Sequence, residues 1–179
     1  AHITSTLAKV MESIIGHPLL HFFHQNVSYG LHQWAYCKKR SSKDLITLLM
    51  CSWLYAISEE KCVGAYLSDI SGAFDRVFTP YLLSKLCTLG LSNMYIKFLA
   101  SYLQKRQGQV VVGGEKSRYI SLEHQVFQGT VLGPPLWNIF FADVVSSAIA
   151  SEAQGKAFAD DFNCFKSFPR KTADKHIHK

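Results

Sequence analysis

Two adjacent carboxylates, Asp160 and Asp161, stand between two short apolar runs near the end of the chain. Lys156–Ala159 and Phe162–Phe165 both read as short strands, which puts the pair at or near the tip of a tight hairpin. Like charges held side by side repel unless a cation neutralises them, although an Asp-Asp turn between strands is also ordinary solvated turn chemistry. A third carboxylate, Asp69, lies near the end of the apolar run Val63–Ile70, 91 residues before Asp160. An unpaired carboxylate is costly beside a buried strand. Asp69 therefore either pairs with a base, for which Arg76 is a candidate, or meets Asp160 across adjacent strands. Two or three convergent carboxylates suit hard Mg²⁺ ions whose shells are completed by substrate phosphates. Two such ions about 4 Å apart activate a hydroxyl and stabilise a leaving pyrophosphate during in-line displacement. In phosphoryl transfer the protein's task is mainly the placement of charge.

The elements that must position these groups can be read from periodicity. Leu7, Val10, Ile14 and Ile15 recur at helical spacing, and Leu19, Leu20 and Phe23 continue it beyond an expected break near Gly16-Pro18. Ser41 and Asp44 have capping-box spacing ahead of an apolar run from Leu45, so a second helix is predicted to about Glu60. Val63–Ile70 reads as a largely buried strand. Helices at about Thr79–Leu89 and Ser92–Gln104 follow, broken at Gly90. Gln109–Val112 and Tyr119–Val126 are expected to pair around Gly113-Gly114. Pro134 and Pro135 fit only the first turn of a helix, which is predicted to run to about Ser151. Strand, two helices, hairpin, helix and hairpin in that order predict an α+β domain with helices on one face of an antiparallel sheet.

The chain has 179 residues, about one domain's length, and a net charge of +6. The basic excess is clustered at Lys38, Lys39, Arg40 and Lys43, at Lys105 and Arg106, and at Lys166, Arg170, Lys171, Lys175 and Lys179. Such clusters suit a phosphate backbone or simply form a solvated face. Five scattered cysteines without a C-x-x-C pair argue against a disulfide framework or zinc ribbon and for free thiols in an intracellular setting. No apolar run reaches the roughly 18 residues of a membrane helix, so no membrane partner is expected.

Asp69-Ile-Ser-Gly-Ala-Phe-Asp75-Arg-Val resembles motif A of reverse transcriptases in the form used by non-LTR retrotransposons. Gln128-Gly-Thr-Val-Leu-Gly-Pro134, continued by Asn138-Ile-Phe140, resembles their motif B. Phe158-Ala-Asp-Asp161 is similar to motif C. Upstream, Ala8-Lys9-Val10-Met11-Glu12 and Gln33-Trp34-Ala35-Tyr36 resemble fingers segments that precede motif A. The matches run from residue 1 to about 165 in family order and spacing. The resemblance implies a polymerase palm, a ferredoxin-like antiparallel sheet with helices on one face, with part of the fingers. It divides the chain into partial fingers at 1–62, palm at 63–170 and a polar tail at 171–179. The thumb is expected to lie beyond Lys179, the fingers' Arg-Pro strand before Ala1, and no endonuclease domain is included.

On that resemblance Asp69, Asp160 and Asp161 are the catalytic carboxylates and hold two Mg²⁺ ions, with Mn²⁺ as a substitute. Ile70, Phe74, Gln128 and Gly129 bind the nucleotide, and Phe74 forms a steric gate that favours dNTPs over rNTPs. Lys38, Lys39, Arg40, Lys105 and Arg106 are candidates for contact with an RNA template and DNA primer. The implied site of action is the nucleus. The chain departs from the family pattern at Cys37, Lys39, Gly72, Pro135 and Trp137, and at Gln125-Val126-Phe127, where Gly-Val-Pro is usual. The reading is an RNA-directed DNA polymerase. Its alternatives are an inactive truncated transposon relic and a non-catalytic nucleic-acid-binding scaffold. A third, an RNA-templated RNA polymerase, is disfavoured by the bulky Phe74.

Overall fold

The computed structural model describes residues 5–26, 29–150 and 153–170; the expected tail 171–179, with Lys171, Lys175 and Lys179, lies outside them. The order of elements is α1 (Thr6–Gln25), α2 (Ser42–Ser58), β1 (Lys61–Ser68), a 3₁₀ turn (Ala73–Arg76), α3 (Thr79–Thr88), α4 (Asn93–Tyr102), β2 (Arg106–Gly108), β3 (Val111–Val112), β4 (Glu115–Lys116), β5 (Ile120–Leu122), α5 (Gly133–Ala150), β6 (Gln154–Phe158) and β7 (Asp161–Pro169). All named ladders are antiparallel, in keeping with the α+β class that the sequence predicts. The chain forms two compact units, one from Ala1–Ser28 and Gly72–Phe140, the other from Tyr29–Ser71 and Phe141–Lys179.

The second unit is built on a sheet of order β1-β7-β6. Its register runs from Lys61 opposite Pro169 to Ser68 opposite Phe162, and from Gln154 opposite Phe165 to Phe158 opposite Asp161. Residues 32–34 extend it along the free edge of β6. Gln33 bridges Ala157 in parallel, the Trp34 N–H donates to the Ala157 carbonyl at 2.8 Å, and the Ala157 N–H donates to that of His32 at 3.0 Å. Helix α2 starts where the capping spacing predicts: the Ser41 hydroxyl oxygen accepts from the Asp44 N–H at 3.2 Å and its proton goes to Asp44 Oδ2 at 2.7 Å. The helix packs Leu45 and Leu49 on Phe165, with Trp34, Trp53, Val63 and Phe158 around them.

One expectation fails here. β1 forms, but it is not largely buried: Tyr66 and Leu67 are 64% and 63% exposed. It is an edge strand of the sheet, and its apolar composition follows from strand propensity more than from burial on both faces.

The first unit holds α1, α3, α4, the two short ladders and the start of α5. Its buried residues include Leu19, Phe23, Leu82, Leu99, Leu136 and Trp137. The expected break near Gly16-Pro18 is absent, since α1 continues through Pro18. Proline in a helix interior costs about 3 kcal/mol. Here Leu19 and Phe23, one turn apart beyond it, are completely buried, and burial of two such side chains offsets that cost at about 1.5–3 kcal/mol each.

The predicted hairpin is also shorter than expected. Gly113 and Gly114, with φ of +60° and +90°, do turn the chain, but they join only β3 to β4, while β2 pairs with β5. The Ser117 hydroxyl interrupts the long ladder by accepting from the Val110 N–H at 2.9 Å. Val126 gives its N–H to the Phe74 carbonyl at 2.9 Å instead of to a strand partner. Helix α5 begins at Gly133 with both prolines in its first turn, where no intrahelical N–H is needed. Among the described residues no helix is long and apolar enough to cross a membrane. All five cysteines are free.

Candidate active site

The residues singled out from the sequence fall into two groups, one in each unit. In the second unit, β6 and β7 are joined by the two-residue turn Ala159-Asp160, and Asp161 opens β7. Asp69 is the first residue after β1, whose last residue, Ser68, lies opposite Phe162. Asp69 therefore follows β1 at the same end of the sheet where Asp160 and Asp161 begin the return strand. Successive strand residues face opposite ways. Phe162 is buried edge-on against Phe141, ring centroids 6.4 Å apart, and its neighbour Asp161 is exposed. Burial, then the charge of Asp160, then that of Asp69 raises the Asp161 carboxyl above its ordinary pKa. Asp161 thus feels the charges of both Asp160 and Asp69.

Among the described residues no three His, Cys, Asp or Glu side chains are already drawn in around one point. What the fold fixes is the backbone that carries them. The donors are all carboxylate oxygens, repelling one another at one end of a sheet. This set fits a hard ion such as Mg²⁺, which keeps waters and takes substrate phosphates in place of a full protein cage.

The turn itself is held in an unusual conformation. Ala159 has φ +57° at the first position of a two-residue hairpin loop, where glycine is normally needed. It is 8% exposed. The Gln33 side chain grips it from the added strand: Oε1 accepts the Ala159 N–H at 3.0 Å, and Nε2 donates to the Ala159 carbonyl at 3.3 Å. Tyr36 lies close enough for the Asp160 charge, after burial, to push its phenol pKa up.

Of the basic candidates in this unit, Lys38 and Lys39 are exposed. Arg40 donates to the carbonyls of Leu31 and Gln33 and lies over the Trp34 ring at 5.4 Å. Lys156 Nζ meets His32 Nδ1 at 3.2 Å. The His32 pKa is held below its usual value by burial, then by Lys156 and Arg40.

In the first unit, Phe74 lies in the 3₁₀ turn after Gly72, which has φ +66°. Its ring stacks on Trp137, centroids 5.9 Å apart at 21°. The loop carrying Gln128 and Gly129 is braced from within and from below. The Thr130 hydroxyl donates to the Phe127 carbonyl at 2.6 Å and accepts from the Gly133 N–H at 3.1 Å. Glu12, a buried carboxylate of α1, accepts the Val131 N–H at 2.7 Å and the Tyr102 hydroxyl at 3.2 Å. Burial drives the Tyr102 pKa up to about 12. Gln128 and Gly129 remain exposed at the tip, with Gly129 at φ +78°. Lys105 pairs with Glu123. Arg106 stacks over Phe127 at 4.2 Å and Tyr102 at 5.0 Å, so much of its guanidinium is already engaged within the fold.

Three residues here escaped the sequence reading. Glu12 and Gln33 lie in segments that carry the resemblance, yet nothing in the sequence tells that each is a buried polar anchor. Trp137 reads as a departure from the family pattern; in the structure it is 2% exposed and supports the Phe74 ring.

The pattern of the reverse transcriptase (RNA-dependent DNA polymerase) family matches residues 2–179. The chain is 31% identical over 162 residues to the RNA-directed DNA polymerase from mobile element jockey of Drosophila melanogaster, covering 87% of this chain and 18% of that protein. It is 30% identical over 142 residues to the probable RNA-directed DNA polymerase from transposon BS of the same organism, covering 79% of this chain and 16% of that protein. It thus spans less than a fifth of these relatives' length. Among solved structures, telomerase from Candida albicans in complex with a fragment of telomeric RNA superposes with a TM-score of 0.63 over 92% of this chain and 31% of that one. At 15% identity that likeness establishes the fold.

Proposed function

The chain belongs to the reverse transcriptase (RNA-dependent DNA polymerase) family, alongside the polymerases of non-LTR retrotransposons, and on that premise we propose that it supplies the polymerising centre for extension of a DNA primer on an RNA template. The observation that carries this is the placement of Asp69, Asp160 and Asp161 at one end of one antiparallel sheet, close enough for the charges of the first two to raise the third.

Asp69 and Asp160, with Asp161 beside them, would hold two Mg²⁺ ions or their Mn²⁺ substitutes. When bound, such ions acidify a primer 3′-hydroxyl and neutralise charge on the leaving pyrophosphate. The chain's own part is electrostatic and geometric. The sheet keeps three anionic groups near one another, which favours cations and triphosphate-bound cations over other ligands. Ile70 continues motif A directly after Asp69 and would lie along the nucleotide. In the other unit, Phe74 is backed by Trp137 and serves as the gate against a 2′-hydroxyl. Gln128 and Gly129, at the tip of a braced loop, offer an exposed amide side chain and a backbone open to close approach. Lys38, Lys39 and Arg40 would face phosphates, as would Lys105; Arg106 would contribute mainly through its stack on Phe127.

The test is primer extension on oligo(dT)–poly(rA) with dTTP and Mg²⁺ or Mn²⁺, beside an Asp160→Ala/Asp161→Ala control. Extension by the wild-type chain that disappears in the control is expected. Equal extension by both proteins would sink the assignment of the carboxylates. RNA binding with steep salt dependence but no turnover would instead favour a scaffold.

A further inference from the structure

The carboxylate turn is held by a residue to which the polymerase reading gives no role. Gln33 is 3% exposed, and its single carboxamide makes four hydrogen bonds. Oε1 accepts from the backbone N–H groups of Trp34, Ala35 and Ala159, each at 3.0 Å, and Nε2 donates to the Ala159 carbonyl at 3.3 Å. Three backbone N–H donors around one atom require that atom to be the oxygen, so the orientation of the amide is fixed by its partners.

Ala159, gripped at both its N–H and its carbonyl, immediately precedes Asp160 and Asp161. It is a non-glycine residue at φ +57°, a strained conformation that persists only where surroundings over-determine it. The flanking ladder supplies part of that determination. Phe158 pairs with Asp161, and the parallel bridge of Gln33 with Ala157 aligns the added strand. The Gln33 carboxamide bonds the peptide groups on both sides of Ala159.

We propose that Gln33 is a positioning residue for the metal-binding turn: by clamping the Ala159 backbone it sets the directions in which Asp160 and Asp161 leave the hairpin. This rests on the polymerase reading for its consequence in catalysis, but the clamp itself is a property of the fold. Cations of the Mg²⁺ class demand near-ideal geometry from few protein ligands. Residues that orient metal ligands from behind typically matter by about 10–100-fold in affinity or activity.

The test uses the full chain and two substitutions whose order reverses between this role and simple packing. Gln33→Met keeps length and burial but makes none of the four bonds. Gln33→Glu keeps an oxygen that can accept the three N–H groups and loses the donor to the Ala159 carbonyl. If Gln33 only fills space, the apolar Met is the milder change and the buried carboxylate the worse. If it positions the turn, Glu is the milder.

Two readouts are taken: amide hydrogen exchange at Ala159, Asp160 and Asp161, and Mn²⁺-induced NMR line broadening of the same amides. Expected for Gln33→Met is about tenfold faster exchange at Ala159, equivalent to about 1.4 kcal/mol of lost protection, with about 10–100-fold weaker Mn²⁺ binding. Gln33→Glu should fall between it and wild type. In primer extension the loss should appear in kcat, with the KM for dTTP nearly unchanged. Should Gln33→Met fail to fold, Gln33→Asn, one methylene too short to reach Ala159, takes its place. Met equal to wild type, or Met milder than Glu, would overturn the proposal. A wild-type chain without extension would overturn the polymerase reading alone, since the exchange and Mn²⁺ measurements still decide the clamp.

Discussion

Replacing Gly133 with alanine should destabilise the motif B loop by an amount that follows from its geometry. A Cβ at that position would stand 2.7 Å from the Phe127 carbonyl oxygen, 2.8 Å from Thr130 Oγ1 and 3.5 Å from Cε1 of Phe74. The first contact is with backbone and cannot be relieved by a rotamer change. The loop must move, and in moving it loosens the Thr130 bonds at 2.6 and 3.1 Å that close it. Overpacking of this kind costs about 1–3 kcal/mol, and each weakened hydrogen bond adds roughly 0.5–1.5 kcal/mol. The better helix propensity of alanine returns at most about 1 kcal/mol, and less at the first residue of α5. A net loss of about 2 kcal/mol remains, or about 4–8 °C in Tm for a chain of this size. Thermal and urea unfolding by circular dichroism, with Thr130→Val measured alongside, would check it. Thr130→Val adds no clash but removes the two closing bonds, so it isolates the hydrogen-bond part of the loss. A Gly133→Ala protein as stable as wild type would refute the reasoning, because no small adjustment relieves a 2.7 Å contact with backbone.

Three further outcomes are expected. Phe74→Ala should raise rNTP incorporation relative to dNTP by at least about tenfold, the order that one lost steric contact of 1.4 kcal/mol would give; an unchanged ratio in competition assays would remove Phe74 as the gate. Glu12→Ala leaves the Val131 N–H and the half-buried Tyr102 hydroxyl without their carboxylate and should cost about 2–3 kcal/mol in urea unfolding, whereas Glu12→Gln, which keeps an acceptor, should cost less; midpoints equal to wild type for both would show the contact to be idle. Tyr102 is protonated in the folded chain up to about pH 12, while an unfolded tyrosine ionises near 10. Its contribution is therefore full below about pH 10 and is lost as pH rises from there towards 12. Stability measured across that window should fall, and Tyr102→Phe should flatten the fall.

Much of the site was legible because its signals are local. A polar pair between two short apolar runs, a glycine-rich loop before two prolines and a serine three residues before an aspartate each report on their own few neighbours. Those signals located the Ala159-Asp160 turn region, the start of α5 and the cap of α2. What failed depends on partners distant in sequence. The exposure of β1 follows from its place at a sheet edge, which its own residues do not encode. Pro18 remains inside a helix because Leu19 and Phe23 are buried elsewhere in the unit. The 109–126 region is interrupted where the Ser117 hydroxyl takes the Val110 N–H, and Val126 leaves it for the Phe74 carbonyl, 52 residues away. Gln33 and Glu12 show the same limit: a buried polar residue looks like a surface one until its partners 126 and 119 residues away are known.

The pairing of β1 with β7 has a consequence for how the chain comes into being. Lys61–Ser68 finds its hydrogen-bond partners only in Asp161–Pro169, roughly 100 residues later in synthesis, and long-range pairings of this kind form slowly. Until β7 leaves the ribosome, β1 is an apolar strand with two open edges, carrying Tyr66 and Leu67. Residues 32–34 wait longer in sequence, since Gln33 pairs with Ala157. The nascent chain therefore has its loop-bearing helices available well before Asp69 can meet Asp160 and Asp161, which happens only when β7 docks. A chain interrupted before residue 160 would present unpaired strands without the Asp160-Asp161 turn, which makes premature termination a hazard of aggregation.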